Sequence, residues 1–186
     1  MRAQILGLGV VLLAVQGCSG GPTAGDTPVT PDGQAERLDC AALITTTATD
    51  ALGWPATPAT EHAGRCQVDT DRGEVTVGTR AVVPDEGQER SDAVQEELEA
   101  QCDRLRADGP HFVGEPDWLA DGTSGCLTQL DPRTGTGVAE LVLRNRRDEV
   151  VQIRVPAFRP VAEEKVDAAM RELAGAALDL CEAACA

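Results

Sequence analysis

Recurring cysteines constrain the fold of this chain more than any other feature of its sequence. A helical pattern containing Cys40, a loop and Gly64–Cys66 precede one hairpin pattern, and Cys102, a loop and Ser124–Cys126 precede another. The paired cysteines are 26 and 24 residues apart. This weak internal repeat predicts Cys40–Cys66 and Cys102–Cys126 disulfides, each joining a helix to the start of the following strand.

The other cysteines leave the pairing partly open. Cys181 and Cys185 lie about one helical turn apart in the last helical pattern, so they can join only if that turn frays. Six cysteines also allow many other pairings. An even number in an exported chain indicates disulfides formed in an oxidising compartment.

The start of the chain has the order of a secretory signal. Arg2 is the only charge before the apolar run 3–15, which is too short to span a bilayer. The following Val15–Cys18 resembles the lipobox of bacterial lipoproteins, in which a signal peptidase cuts before a cysteine that carries a diacylglyceryl group. The resemblance implies that residues 1–17 are a signal peptide and that Cys18 is lipidated, the alternative being an ordinary secreted protein cut elsewhere. Two acyl chains suffice for stable anchoring.

Lipidation of Cys18 would also explain the cysteine parity, because it removes one of seven thiols. Residues 18–35 are rich in Gly, Pro and Thr without an apolar period, which predicts a flexible tether. Residues 36–186 have the length of one domain with its own core. We therefore expect a lipidated tether followed by a single domain.

Charge and aromatic content exclude some partners. The chain has 31 acidic and 16 basic side chains, a formal charge of −15 that becomes −16 when Arg2 leaves with the signal peptide. Such a chain gains no counterion-release affinity for DNA or RNA, and any membrane contact must come from the anchor. With two Phe, two Trp and no Tyr, it is poorly suited to stacking sugars.

Apolar periodicity predicts an α+β domain. A first short helix, capped by Asp39, is predicted over 40–44, and a second short helical turn ends at Leu52–Gly53. Two longer helices are predicted over 91–107, capped by Ser91 and ended by Gly109–Pro110, and over 160–185. The predicted strands form a hairpin over 66–83 and cover 126–130, 137–144 and 149–155. Strand 137–144 is apolar on both faces, so we expect it in the sheet interior. The expected architecture is an antiparallel sheet of about five strands with packed helices, a helix–hairpin pseudo-repeat and a long C-terminal helix.

Several short motifs resemble uncharacterised actinobacterial envelope lipoproteins. They are Leu38–Leu43, Leu52–Gly53, Cys66 before a strand, Leu119–Gly122 and Leu173–Ala174. The resemblance implies a small α+β domain with an antiparallel sheet, and it implies no reaction. The chain departs from the family at Gln67–Val68, where the family usually has a tryptophan.

Candidate chemical groups are few. His62 beside Glu61 could form half of an acid–base pair, but a solvated loop residue explains it as well. Ser124 does not lie in a nucleophile-elbow motif. Asp69–Glu74 contains part of a calcium-loop pattern, and a hairpin turn explains the same residues. We therefore expect no catalytic residue, no metal site and no cofactor.

One basic patch stands out in this acidic chain. The segment 133–159 carries six arginines: Arg133, Arg144, Arg146, Arg147, Arg154 and Arg159. We identify Arg144, Arg146 and Arg147 as a candidate contact for an anion or a partner. The alternative is an exposed sheet edge that charge protects against strand pairing.

These features favour a membrane-anchored extracytoplasmic lipoprotein that acts as a non-catalytic binding module. Its partner would be an unknown envelope protein or a small ligand. The alternatives are an envelope hydrolase or other cell-wall enzyme, and a structural surface lipoprotein without a defined ligand. A pocket between the sheet and the loop 110–125 that contains Trp118 would favour the binding module.

Overall fold

Helices and strands of the expected kinds form one packed α+β unit. The structure is a computed structural model that describes residues 39–184 except 63, 110, 120 and 121, and describes only the backbone of 179–184. The predictions for the signal peptide, Cys18 and the tether lie outside the described residues, as do the side chains of Cys181 and Cys185.

The described residues contain four helices and seven strands. The helices are α1 (Cys40–Leu43), α2 (Thr46–Leu52), α3 (Arg90–Asp108) and α4 (Glu163–Ala184). The strands are β1 (Thr60–His62), β2 (Arg65–Thr70), β3 (Gly73–Ala81), β4 (Phe112–Gly114), β5 (Gly125–Thr128), β6 (Gly137–Arg144) and β7 (Glu149–Ala157). None of the described helices is both long enough and apolar enough to cross a bilayer.

All seven strands form one antiparallel sheet in the order β1-β2-β3-β7-β6-β5-β4. The α+β class is therefore confirmed, but the expected number of about five strands is wrong. The missed strands, β1 and β4, have three residues each, too few to show a period-two pattern. The interior position predicted for 137–144 is confirmed, because β6 lies between β7 and β5.

The Asp39 cap of α1 and the Gly53 terminus of α2 are confirmed, although α1 ends at Leu43, one residue earlier than predicted. A side-chain oxygen of Asp39 accepts a hydrogen bond from the N–H of Ala42 at 3.2 Å, which caps α1. Gly53 closes α2 in the left-handed region with φ +66°.

The predicted start of α3 is wrong. Ser91 does not cap this helix, because the backbone N–H groups of Asp92 and Ala93 both donate to the carbonyl of Glu89. These bonds start the helix at Arg90 and place Ser91 inside its first turn. The terminating residue was predicted correctly, since Gly109 is the C-cap.

The two faces of the sheet are covered unequally. On the first face, α1, α2 and α4 cover a large core that includes Leu141, Ile153, Met170 and Leu173, all fully buried. On the second face, α3 covers a smaller cluster: Val94, Leu98, Cys126, Val142 and Val150. Part of the second face therefore stays open beside α3.

Both disulfides predicted from the repeat are confirmed. Cys40–Cys66 joins α1 to β2, and Cys66 belongs to the core of the first face. Cys102–Cys126 joins α3 to β5, and Cys126 belongs to the cluster of the second face. Each covalent link thus holds one helix against the sheet.

Candidate functional site

The arginines predicted as a contact site are engaged within the protein. Arg144 Nε and Nη2 lie 3.0 and 2.6 Å from Oδ1 of Asp148, so this side chain braces the β6–β7 turn. Arg154 Nε lies 3.1 Å from Oε2 of Glu140, and Arg146 and Arg147 also make interactions. Arg144 and Arg146 line a cavity of about 420 Å³, whose lining does not include Arg147. A role for the patch in contacts stays a prediction.

The alternative interpretation, that these arginines protect an exposed sheet edge, is wrong for Arg144 and Arg154. Arg144 lies on β6 and Arg154 on β7, and both strands are interior to the sheet. Their charges therefore cannot protect a sheet edge against pairing with another chain.

The two histidines lie at opposite edges of the sheet. His62 is an exposed residue at the end of β1, whereas His111 is half-buried beside β4. Ser124 lines the cavity at Arg144, and neither histidine lines that cavity. The fold thus does not bring Ser124 and the histidines into one described cavity.

His111 lines a cavity of about 480 Å³ together with Asp131. Oδ1 of Asp131 accepts a hydrogen bond from the backbone N–H of Arg133 at 2.8 Å. That hydrogen bond is the largest cause that lowers the pKa of Asp131 below 3.8, and nearby His111 lowers it further. Asp131 is therefore an ionised residue that shapes the β5–β6 turn.

The segment resembling a calcium loop is a hairpin turn, as the alternative interpretation predicted. Thr70 Oγ1 accepts hydrogen bonds from the N–H groups of Arg72 and Gly73, both at 3.1 Å. The described residues contain no group of three or more His, Cys, Asp or Glu side chains arranged to hold a metal ion.

Trp118 does not take part in the cavities described beside the loop 110–125. It is half-buried against the core of the first face, and the guanidinium carbon of Arg171 lies 5.5 Å from its ring centroid. The cavities near this loop are lined by His111 or by Ser124 instead.

A polar groove of about 300 Å³ lies on the second face, between α3 and the β2–β3 side of the sheet. Arginines from three elements line it: Arg65 from β2, Arg80 from β3 and Arg104 from α3. We call this the arginine groove. Three positive charges lie together here in a chain whose formal charge is −15.

Strand register explains the shape of the arginine groove. One row across the second face runs through five paired strands: Arg65, Gly78, Gln152, Val142 and Cys126. At one end of this row the disulfide fixes α3 above Cys126, and at the other end stands Arg65. Gly78 has no side chain, so it leaves the floor between these walls open.

Glu97 contacts two of the side chains that line the groove. Its Oε1 forms an ion pair with Arg80 Nη1 at 3.0 Å and accepts a hydrogen bond from Gln101 Nε2 at 2.6 Å. Among the described residues no ion pair joins Arg65 or Arg104 to a carboxylate. Both side chains are exposed, so two guanidinium groups are available at the groove.

Sequence reasoning missed the arginine groove entirely. Its residues come from three separate segments. The arginines at 144–147 are instead close together in the sequence, and they were therefore the predicted contact site. One signal was present, because Arg80 occupies an outward position of the predicted hairpin and Arg65 directly precedes it, while Cys66 and Val77 point to the core.

No protein-family model, curated protein or solved structure matches this chain.

Proposed function

We propose that this protein is a membrane-anchored extracytoplasmic lipoprotein and a non-catalytic module that binds a ligand or a partner at the cell envelope. We also propose membership of the uncharacterised actinobacterial envelope lipoproteins that its motifs resemble. The arginine groove is the observation that carries the binding function, because it places available charged groups around a concave surface.

The walls of the groove are held in place before any ligand arrives. The Cys102–Cys126 disulfide fixes α3 on the sheet, and the Arg80–Glu97 ion pair joins β3 to α3 beside the groove. Binding to such a site loses less conformational entropy than binding to a surface that must first order itself. This rigidity suits a recognition site.

Blocking the groove floor tests the binding function. We expect Gly78→Leu to fill the groove without changing its charge and so to abolish ligand binding. The measurement is the midpoint of thermal unfolding of the labelled protein with and without a detergent extract of the cell envelope, because a bound ligand raises that midpoint.

The matched control is Gly175→Leu in α4. It adds the same side chain at a position where a new Cβ meets no atom within 4 Å. Wild type and control should be stabilised by the extract and Gly78→Leu should not. Equal stabilisation of all three proteins, or of none, would contradict a binding role for the groove.

Anchoring is tested at Cys18. We expect Cys18→Ala to remove the acyl group and to move the protein from the membrane pellet to the soluble fraction, since two buried acyl chains are needed for stable attachment. Ser19→Ala, the adjacent change, should stay in the pellet. Mass spectrometry of the amino-terminal peptide checks the modification, and an unacylated Cys18 in wild type would refute the anchor.

The helix–hairpin pseudo-repeat is part of the same proposal. The order β1-β2-β3 on one side of β7 is mirrored by β6-β5-β4 on the other. Each half carries one disulfide from a helix to its middle strand, on opposite faces of the sheet. These relations support two copies of one unit arranged around β7.

A further inference from the structure

The arginine groove has the chemistry to select its ligand by charge, and its two available arginines stand on opposite walls. Arg65 rises from β2, and Arg104 extends from α3, which the disulfide holds above β5. Neighbouring strands are about 4.8 Å apart, so the open floor over β3 and β7 is about 10 Å wide. Two arginine side chains can therefore reach one group placed over Gly78.

The groove is positively charged at short range although the whole protein is acidic. Among the three arginines Arg65, Arg80 and Arg104, the described ion pairs join only Arg80 to a carboxylate, that of Glu97. A second carboxylate, Glu140, accepts a hydrogen bond from Gln152 on the groove floor and is itself paired with Arg154. At physiological salt, charges beyond about 8 Å are largely screened, so the groove arginines determine the potential that a small bound ion feels. A long polyanion would instead be repelled by the net negative charge of the chain.

Polar side chains cover the floor and one wall of the groove. Thr76 and Gln152 lie on the floor, where Nε2 of Gln152 donates a hydrogen bond to Glu140, and Gln101 lies on the α3 wall. Gln101 is 8% exposed and donates to Glu97, so this wall keeps its conformation when the groove is empty. The lining is therefore suited to a compact, charged group rather than to an apolar one.

Sheet topology excludes a simpler explanation for these arginines. Charges on an outer strand protect against edge-to-edge pairing. Arg65 and Arg80 lie on β2 and β3, which are paired on both sides. Neither charge can serve that purpose.

Guanidinium groups bind oxyanions through two parallel hydrogen bonds, a geometry that fits both carboxylate and phosphate. We propose that the arginine groove binds a small molecule through an oxyanion group, with Arg65 and Arg104 as its direct ligands from opposite walls. Arg80, held by Glu97, completes the positive rim. This inference rests on the proposed binding function and names the class of ligand.

Titration of the full-length, 15N-labelled protein tests the proposal. Inorganic phosphate is the probe in one arm and succinate in the other, which distinguishes a phosphate from a carboxylate ligand. In at least one arm the Nε–Hε signals of Arg65 and Arg104 should shift and saturate. The variant Arg65→Gln/Arg104→Gln should raise the dissociation constant about 10- to 100-fold, the effect of losing charge-assisted hydrogen bonds.

The control variant Arg133→Gln/Arg159→Gln also removes two exposed arginines, and neither lines the groove. It should bind the probe as wild type does. Absence of saturable shifts in both arms, or equal weakening in both variants, would overturn the proposal.

Failure of the oxyanion proposal and failure of the binding function give different results. If Gly78→Leu abolishes stabilisation by the envelope extract while Arg65→Gln/Arg104→Gln retains it, the groove binds something other than an oxyanion. If Gly78→Leu has no effect on that stabilisation, the binding function of the groove is itself refuted.

Discussion

Replacing Cys40 and Cys66 together with alanine should lower the free energy of unfolding by about 3.5 kcal/mol, as the chain-entropy estimate gives for the closed loop. The two cysteines are 26 residues apart. Without the link, the four-residue helix α1 loses its covalent connection to β2. Urea denaturation followed by circular dichroism measures the change, under oxidising conditions for both proteins.

The second disulfide provides the matched comparison. Cys102→Ala/Cys126→Ala opens a loop of nearly the same length, with a separation of 24 residues, so its loss of stability should be similar. Only this variant should also weaken binding at the arginine groove, because it frees α3. A loss below about 1 kcal/mol for both variants would show that the links constrain the unfolded chain little.

The variant Leu141→Ala should destabilise the protein by about 2 to 5 kcal/mol, through lost burial and the cavity left behind. Leu141 has no exposed surface and lies on β6 between Leu127 and Ile153 of the neighbouring strands. A loss of about 3 kcal/mol should lower the midpoint of thermal unfolding by about 10 °C in a domain of this size. Calorimetry measures both quantities.

The control for this change lies on the same strand. Val138 is half-buried, and its side chain points to the second face because it lies three positions before Leu141 on the same strand. Val138→Ala should cost less than about 1 kcal/mol. If the two variants lost equal stability, the first face would not be the main core.

Long elements and disulfides could be predicted from the sequence because their signals are local and repeated. Apolar alternation persists along β3, and residues four and three apart carry the buried stripe of α4, including Val166, Met170 and Leu173. The similar cysteine contexts then indicated which helix joins which strand.

Short strands could not be predicted because their partners create them. β1 exists through its pairing with β2, as in Thr60 opposite Gln67, and β4 through its pairing with β5, as in Phe112 opposite Thr128. Three residues carry no period of their own. Their strand character depends on contacts made only in the folded chain.

The arginine groove lay beyond sequence reasoning for a related reason. Its lining requires β3 to pair with β7, which lies far along the chain, and requires α3 to cross the second face. The predicted patch illustrates the opposite error. Arginines dense in sequence suggested an open site, although Asp148 stands four residues after Arg144 and binds it.

The two edge strands, β1 and β4, have only three residues each, and this limits how crowded copies of the protein can pair. The outermost rows of unpaired backbone groups offer a foreign chain only a very short template, while the long strands β3, β6 and β7 lie inside the sheet. Copies of the protein brought close together would therefore have little opportunity to polymerise through their backbones.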